Sequence, residues 1–199
     1  MLIVDPAEKT DYTLDDSQLE YELLFWIAVA GKTADIVVKG LRALFAELLQ
    51  ERPDEAPRGP FLLLGDLSEA DLAARLRRHG IGCYTTKARG MLAACRSGLN
   101  LRACSAQELE QLHGVGPKTA RCFILRTRPG ARCAGLDTHV LRYLRDRGFP
   151  APQSTPAAGK RYRELEEIFL RLADEAGRTP AEFDLEIWKS YREQRKRKA

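Results

Sequence analysis

At 199 residues and 22.4 kDa, the chain suits one globular unit of one or two lobes and is too short for a large multidomain enzyme. Hydrophobic residues at 44% and charged residues at 30% are ordinary globular values, which exclude a disordered tail and a fibrous repeat. The longest apolar run, Leu23 to Ala30, is far shorter than the roughly 20 residues needed to cross a bilayer. No basic region precedes an apolar one at the start, so neither a membrane span nor a secretory signal is expected.

Reading along the chain, Ser17-Gln18-Leu19-Glu20 has the form of a capping box, with the serine hydroxyl accepting from a backbone N–H and the glutamate reaching back. It predicts a helix to about Ala30, broken by Gly31, Lys32 and Thr33. A second helix follows from Ala34, with Ile36, Val37, Leu41, Leu44, Phe45, Leu48 and Leu49 at helical spacing. The stretch Glu51 to Pro60, rich in proline, reads as a surface loop. Leu62 to Leu64 is too short to decide between helix and strand. Ser68-Glu69-Ala70-Asp71 opens a helix that ends near Gly80 and Gly82, and a further helix follows Thr86. Ser105-Ala106-Gln107-Glu108 is a second capping box, heading a short helix that stops at Gly114. Pro117 suits a first helical position, where the missing N–H costs nothing, and a helix runs on to about Arg126. Asp137 begins the next helix. Thr155-Pro156 and Thr179-Pro180 each place a hydroxyl before a proline, heading helices near 156–176 and 180–195. The fold class predicted is all-α, with no repeat at solenoid spacing.

The five cysteines, Cys83, Cys95, Cys104, Cys122 and Cys133, are odd in number and contain no C-x-x-C pair. The count speaks against a disulfide framework and against structural zinc or an iron–sulfur cluster, so no metal is expected and the setting reads as reducing and intracellular, cytoplasm or nucleoid. The net charge of +4 hides an asymmetry: residues 1–70 hold 14 acidic and 6 basic side chains, net −8, and the remainder is net +12. A basic region of this size is the footprint of polyanion binding, and equally that of a well-solvated helical surface.

The segment Leu112-His113-Gly114-Val115-Gly116-Pro117-Lys118-Thr119-Ala120 places two glycines around one valine between two helices. Such a hairpin lets the backbone approach another surface, and its N–H groups, beside the positive end of the helix starting at Pro117, are expected to stay free for a phosphate oxygen. An ordinary tight turn has the same pattern. Asp137 follows nineteen residues after Lys118, within Gly135-Leu136-Asp137-Thr138-His139-Val140. A lysine amine is protonated near neutral pH, its ordinary pKa being about 10.4, so a lysine nucleophile needs a nearby base or an electropositive setting. A helix N-terminus at Lys118 and a carboxylate at Asp137 supply both. The plainer readings are a phosphate contact for Lys118 and a helix N-cap for Asp137. His113 and His139 receive no catalytic role, because scattered histidines have no metal-ligand spacing.

L-x-G-V-G-x-K-T-A followed by D-T-H-V resembles the helix-hairpin-helix DNA glycosylase superfamily of base-excision repair. The resemblance implies a two-lobed fold with a cleft between lobes: residues 17–130 as one lobe, and 1–16 with 131–199 as the other, Lys118 and Asp137 meeting across the cleft as catalytic pair. It further implies DNA contacts from Gly114, Val115, Gly116, Thr119 and Lys87, the last within Gly82-Cys83-Tyr84-Thr85-Thr86-Lys87-Ala88. A base-flipping wedge is expected between Ala28 and Asp35, with Lys32 or Thr33 the candidates and simple capping the alternative. Cys83, Tyr84, Asp184 and Trp188 are expected at the base pocket, Trp188 either as a stacking platform or as core.

The chain departs from iron–sulfur members of the superfamily, whose four cysteines follow the aspartate, since Cys133 here precedes Asp137. Phe183-Asp184-Leu185-Glu186-Ile187-Trp188 instead resembles the cluster-free 8-oxoguanine glycosylase/AP lyases first recognised in archaea, whose chain end helps read the lesion; here it is Lys196-Arg197-Lys198-Ala199, with alanine last. The implied activity is excision of an oxidised base, 8-oxoguanine first, and strand cleavage by β-elimination through a lysine imine, without cofactor, by a monomer acting on duplex DNA that carries a damaged base or an abasic site. An oxidised-pyrimidine glycosylase and a non-catalytic DNA-binding module are the alternatives.

Overall fold

Among the described residues, 12–54 and 59–197 with side chains to Tyr191, the computed structural model contains ten helices and no strand. They are α1 (Asp16–Val29), α2 (Ala34–Glu51), α3 (Pro60–Gly65), α4 (Glu69–Arg78), α5 (Tyr84–Cys95), α6 (Ala106–Glu110), α7 (Pro117–Thr127), α8 (Thr138–Asp146), α9 (Lys160–Glu175) and α10 (Pro180–Arg197). The all-α expectation holds, and Leu62 to Leu64 resolve as helix. Part of the expected 51–60 loop, most of residues 1–16 and the terminal Lys198-Ala199 lie outside the described residues. No described helix is long and apolar enough to cross a membrane.

The chain divides into two compact units, one comprising Thr13–Val115 and the other running from Gly116 onward. The division therefore falls inside the glycine hairpin rather than near residue 130, and α7 joins the second unit because it packs on α10.

In the first unit α1 is buried on nearly every side, which its unbroken apolar run requires. It packs against α2, α3 and α5, and α5 also lies on α3 and α4. The buried Glu22 carboxylate accepts a hydrogen bond from Trp26 Nε1 at 2.8 Å, one turn along the same helix. The capping box of α1 is not Ser17/Glu20. Asp15 is the N-cap, accepting from Gln18 N at 2.8 Å while Gln18 Oε1 accepts from Asp15 N at 2.7 Å. Glu20 is occupied elsewhere: its Oε2 accepts from Phe61 N at 2.9 Å and fixes the start of α3.

The second unit is built on α8, α9 and α10. Val140, Leu141 and Leu144 form the buried stripe of α8 and meet Tyr162, Leu165, Phe169 and Ala173 of α9 and Phe183, Ile187 and Tyr191 of α10. Thr179 heads α10 as expected, accepting from Glu182 N at 3.3 Å. Thr155 does not head α9, which starts at Lys160 after Gly159. Its hydroxyl donates instead to Leu136 O at 2.7 Å, a distant loop carbonyl that competes successfully with the local cap.

One ionic hub joins α2 to α4. Glu47 accepts from Arg75, from Arg78 at 2.8 Å, and lies 2.6 Å from His79 Nε2. Burial pushes the Glu47 carboxyl upward, but the His79 hydrogen bond and the Arg78 and Arg75 charges outweigh it and hold the group below its ordinary value. A depressed carboxylate stabilises the fold above its unfolded pKa, and the contribution is lost as pH falls through the folded value. Glu47→Gln is therefore expected to lower the Tm by about 2–6 °C at pH 7, with the difference shrinking in acid. Equal Tm values at pH 7 would refute this role.

Candidate active site

The site is assembled in the second unit from three pieces of chain: the first turn of α7, the loop before α8 and the first turns of α10. Gly116 is the extended N-cap of α7, Pro117 occupies its first turn, and no side chain caps that end. Lys118 thus stands, half-buried, at the positive end of a helix. Ahead of it Gly114 turns the chain at φ +75°, a conformation that favours glycine. The expectation that the hairpin N–H groups stay free is corrected at Val115, whose N–H donates to Leu112 O at 3.1 Å and whose side chain is buried. Thr119 is likewise buried.

Asp137 caps α8. Its Oδ1 accepts from His139 N at 2.8 Å and Val140 N at 2.9 Å, so the cap uses one carboxylate oxygen and leaves Oδ2 out of it. The loop leading to it lies directly on α7: a Cβ built at Gly135 would fall 2.3 Å from Cys122 Sγ and 3.7 Å from Cys122 Cα. Cys122 is one helical turn beyond Lys118 and was not singled out in the sequence, although the four-residue spacing puts both on one face.

Asp184, in the second turn of α10, completes the group. Burial, reinforced by the negative charge of Asp137, raises its carboxyl to about 7, while Arg126 and Lys118 oppose the shift. The Cys122 thiol is pushed well up, first by burial and further by the two carboxylates, with Lys118 opposing. Lys118 and Asp137 therefore both bear electrostatically on Asp184 and on Cys122, within a single unit. Trp188, four residues after Asp184 and half-buried, belongs to the same face of α10.

The other expected site residues belong to the first unit. Lys32 is exposed beside Gly82, where a Cβ would meet its Cε and Nζ at 2.6 Å. Thr33 is the N-cap residue of α2, yet its side chain makes no cap hydrogen bond. Exposed Cys83 precedes α5 at φ 58°, and Tyr84 carries Arg77 over its ring at 5.7 Å. Lys87 is corrected as a DNA contact: it is buried, and its Nζ donates to Ala28 O in the last turn of α1. Burial, with the Lys32 charge added and Cys83 opposing, lowers its amine to about 8. Ile36, read from the sequence as a core residue, is 54% exposed in the first turn of α2. An apolar side chain exposed beside Lys32 and Thr33 is a wedge candidate that helical periodicity had assigned to the core.

No family model matches the chain. Over 75 residues, 38% of this chain, it is 37% identical to the 8-oxoguanine DNA glycosylase/AP lyases of Thermotoga maritima and Thermotoga neapolitana; the match spans 36% of the length of those relatives. The crystal structure of the 8-oxoguanine DNA glycosylase of Thermotoga maritima aligns with a TM-score of 0.63 at 26% identity, covering 86% of this chain and 78% of that one. The 8-oxoguanine glycosylase/lyase of Methanocaldococcus jannaschii, crystallised with a 15mer DNA containing 8-oxoguanine, shares the fold with a TM-score of 0.63 at 21% identity, over 88% of this chain and 81% of that one.

The raised Asp184 group has a measurable consequence. An acid that holds its proton more tightly in the folded state loses stabilisation as pH rises from its ordinary value of 3.8 to about 7. Asp184→Asn removes that slope, so the Tm of the variant minus that of the wild type is expected to rise between pH 4 and pH 7.5. A difference flat with pH would show that Asp184 is not so perturbed.

Proposed function

We propose that this chain is an 8-oxoguanine DNA glycosylase/AP lyase of the archaeal and Thermotoga type, which excises 8-oxoguanine from duplex DNA and then cuts the strand at the abasic site. The observation that carries the reading is the seating of the Asp137 loop on α7 one turn from Lys118, with Asp184 sharing their electrostatic field. The damaged nucleotide is turned out of the stack at a cost of a few kcal/mol, which damage lowers. Ile36, Lys32 and Thr33 are the residues offered for the space it leaves, since apolar wedges are a common means of holding a duplex open.

Lys118 Nζ, relieved of its proton by Asp137, forms a bond to the sugar C1′ as the glycosidic bond breaks and the electron pair leaves with the base. Asp137 passes that proton to the departing base, and the carboxylate so restored counters the positive charge of the imine that follows. Ring opening gives an imine between Nζ and C1′; removal of a C2′ proton then expels the 3′ phosphate, and hydrolysis frees the lysine. Trp188, on the face of α10 that bears Asp184, offers a stacking surface for the base, worth about 1–3 kcal/mol. The uncapped first turn of α7 is suited to a backbone phosphate.

Borohydride trapping on duplexes carrying 8-oxoguanine, thymine glycol, uracil or an abasic site tests the reading. Lys118→Gln is expected to abolish trapped complexes while keeping DNA affinity within about tenfold, one charge among several being lost. Asp137→Asn should keep the α8 cap yet lose most turnover. Adducts that survive Lys118→Gln would move the nucleophile elsewhere, and faster excision of thymine glycol than of 8-oxoguanine would move the substrate to oxidised pyrimidines. The logarithm of the affinity should fall linearly with log salt, with a slope of roughly −0.9 per phosphate neutralised; a flat profile would remove DNA binding.

A further inference from the structure

The residues that hold the Asp137 loop in place are neither Lys118 nor Asp137, and they form one continuous network within the second unit. Tyr162 of α9 is fully buried, and its hydroxyl donates to Ala134 O at 2.7 Å and accepts from Leu136 N at 3.2 Å. Glu166, one turn along α9, accepts from Ala134 N at 2.9 Å through the same Oε1 that accepts from Arg121 Nε at 2.8 Å. Arg121 belongs to α7; its guanidinium lies 4.6 Å from the centre of the Tyr162 ring and donates to Pro117 O, the residue before Lys118, at 3.2 Å. Thr155 closes the far side, its hydroxyl donating to Leu136 O at 2.7 Å.

We infer that Tyr162, Glu166, Arg121 and Thr155 are positioning residues for the reaction, a clamp that fixes the backbone of residues 134–136 against the first turn of α7 and so sets where Asp137 stands relative to Lys118. The inference rests on the assignment of those two residues to the chemistry. Three properties of the network carry it. The side chains bond the loop's main chain, not one another's ends alone, so their geometry is transmitted to the backbone atoms just before Asp137. The Arg121–Glu166 pair is largely shielded, with 11% and 14% of the side chains exposed, so its geometry is not averaged by solvent as a surface pair would be. The network also spans both catalytic candidates, touching Pro117 at one end and Leu136 at the other. Gly135 between them has no side chain because Cys122 fills the place, so the loop's position depends on bonds to its main chain.

A misplacement of about 1 Å between reacting groups can cost on the order of 100-fold in rate without altering ground-state binding. Tyr162→Phe keeps the ring beneath Arg121 and removes both loop hydrogen bonds. Single-turnover cleavage of an abasic-site duplex is expected to slow by about 10–100-fold, with affinity for the same duplex within about threefold. Thr155→Val, at an exposed position, is expected to slow cleavage by about 3–10-fold, and Thr155→Ser to restore it. Should Tyr162→Phe fail to fold, the Thr155 pair decides. Rates within twofold of wild type in the folded variants, or losses matched by equal losses of affinity, would overturn the inference. Lys118→Gln is run alongside: adducts persisting there refute the nucleophile and leave the Tyr162 and Thr155 rates to be read against whichever amine is trapped.

Discussion

The second unit depends on one close approach. At Gly135 the loop backbone comes so near the Cys122 sulfur that any side chain would have to displace it. Nothing of ordinary size fits between the loop and α7, so the segment that ends in Asp137 is seated on the helix that begins with Lys118. A segment outside regular secondary structure must find partners for its buried polar groups one at a time. Here Tyr162, Glu166 and Thr155 supply them, and α9 is thereby recruited to the same purpose as α7 and α8. Core packing of Phe169, Phe183 and Ile187 holds α9 and α10 together, and Asp184 reaches the group as a consequence of that packing.

The first unit solves a related problem with a cation. The last carbonyls of a helix have no intrahelical donor, and the end of α1 is buried in apolar surroundings. Lys87 provides a donor to Ala28 O there, an arrangement whose cost is visible in the amine's lowered proton affinity. Lysine in this place is a structural element of the turn, and its exposure to a polyanion is given up in exchange.

The helix α2, which announces itself by periodicity, was legible in the sequence, and the start of α8 was legible from Asp137. So were the Ser105 box, the Asp137 cap and the Thr179 cap, because in each the partner is three residues away or fewer. What was not legible had distant partners. Glu20 and Thr155 look like caps until Phe61 N and Leu136 O claim them. Lys87 looks like a surface lysine until a carbonyl 59 residues earlier accepts a hydrogen bond from it. The proposed pairing of Lys118 with Asp137 comes from a family pattern, whereas Tyr162, Glu166 and Arg121 have no spacing that singles them out. Their function is to bond main-chain atoms, and main-chain atoms leave no mark in a sequence.

Asp184 sets the remaining conflict. The negative charge of Asp137 disfavours a second charge at Asp184, and burial disfavours it more. The structure resolves the conflict unequally. Asp137 is tied to the N-terminus of α8 by two N–H donors. Asp184 has no such cap and absorbs the strain as a raised proton affinity. Asp184 thereby holds its proton closer to neutrality than an ordinary carboxyl does, in the same region of the fold as Asp137 and Lys118. At Asp137 the cap uses one carboxylate oxygen and leaves the other out of it, so capping and the proposed chemistry at this residue do not exclude one another.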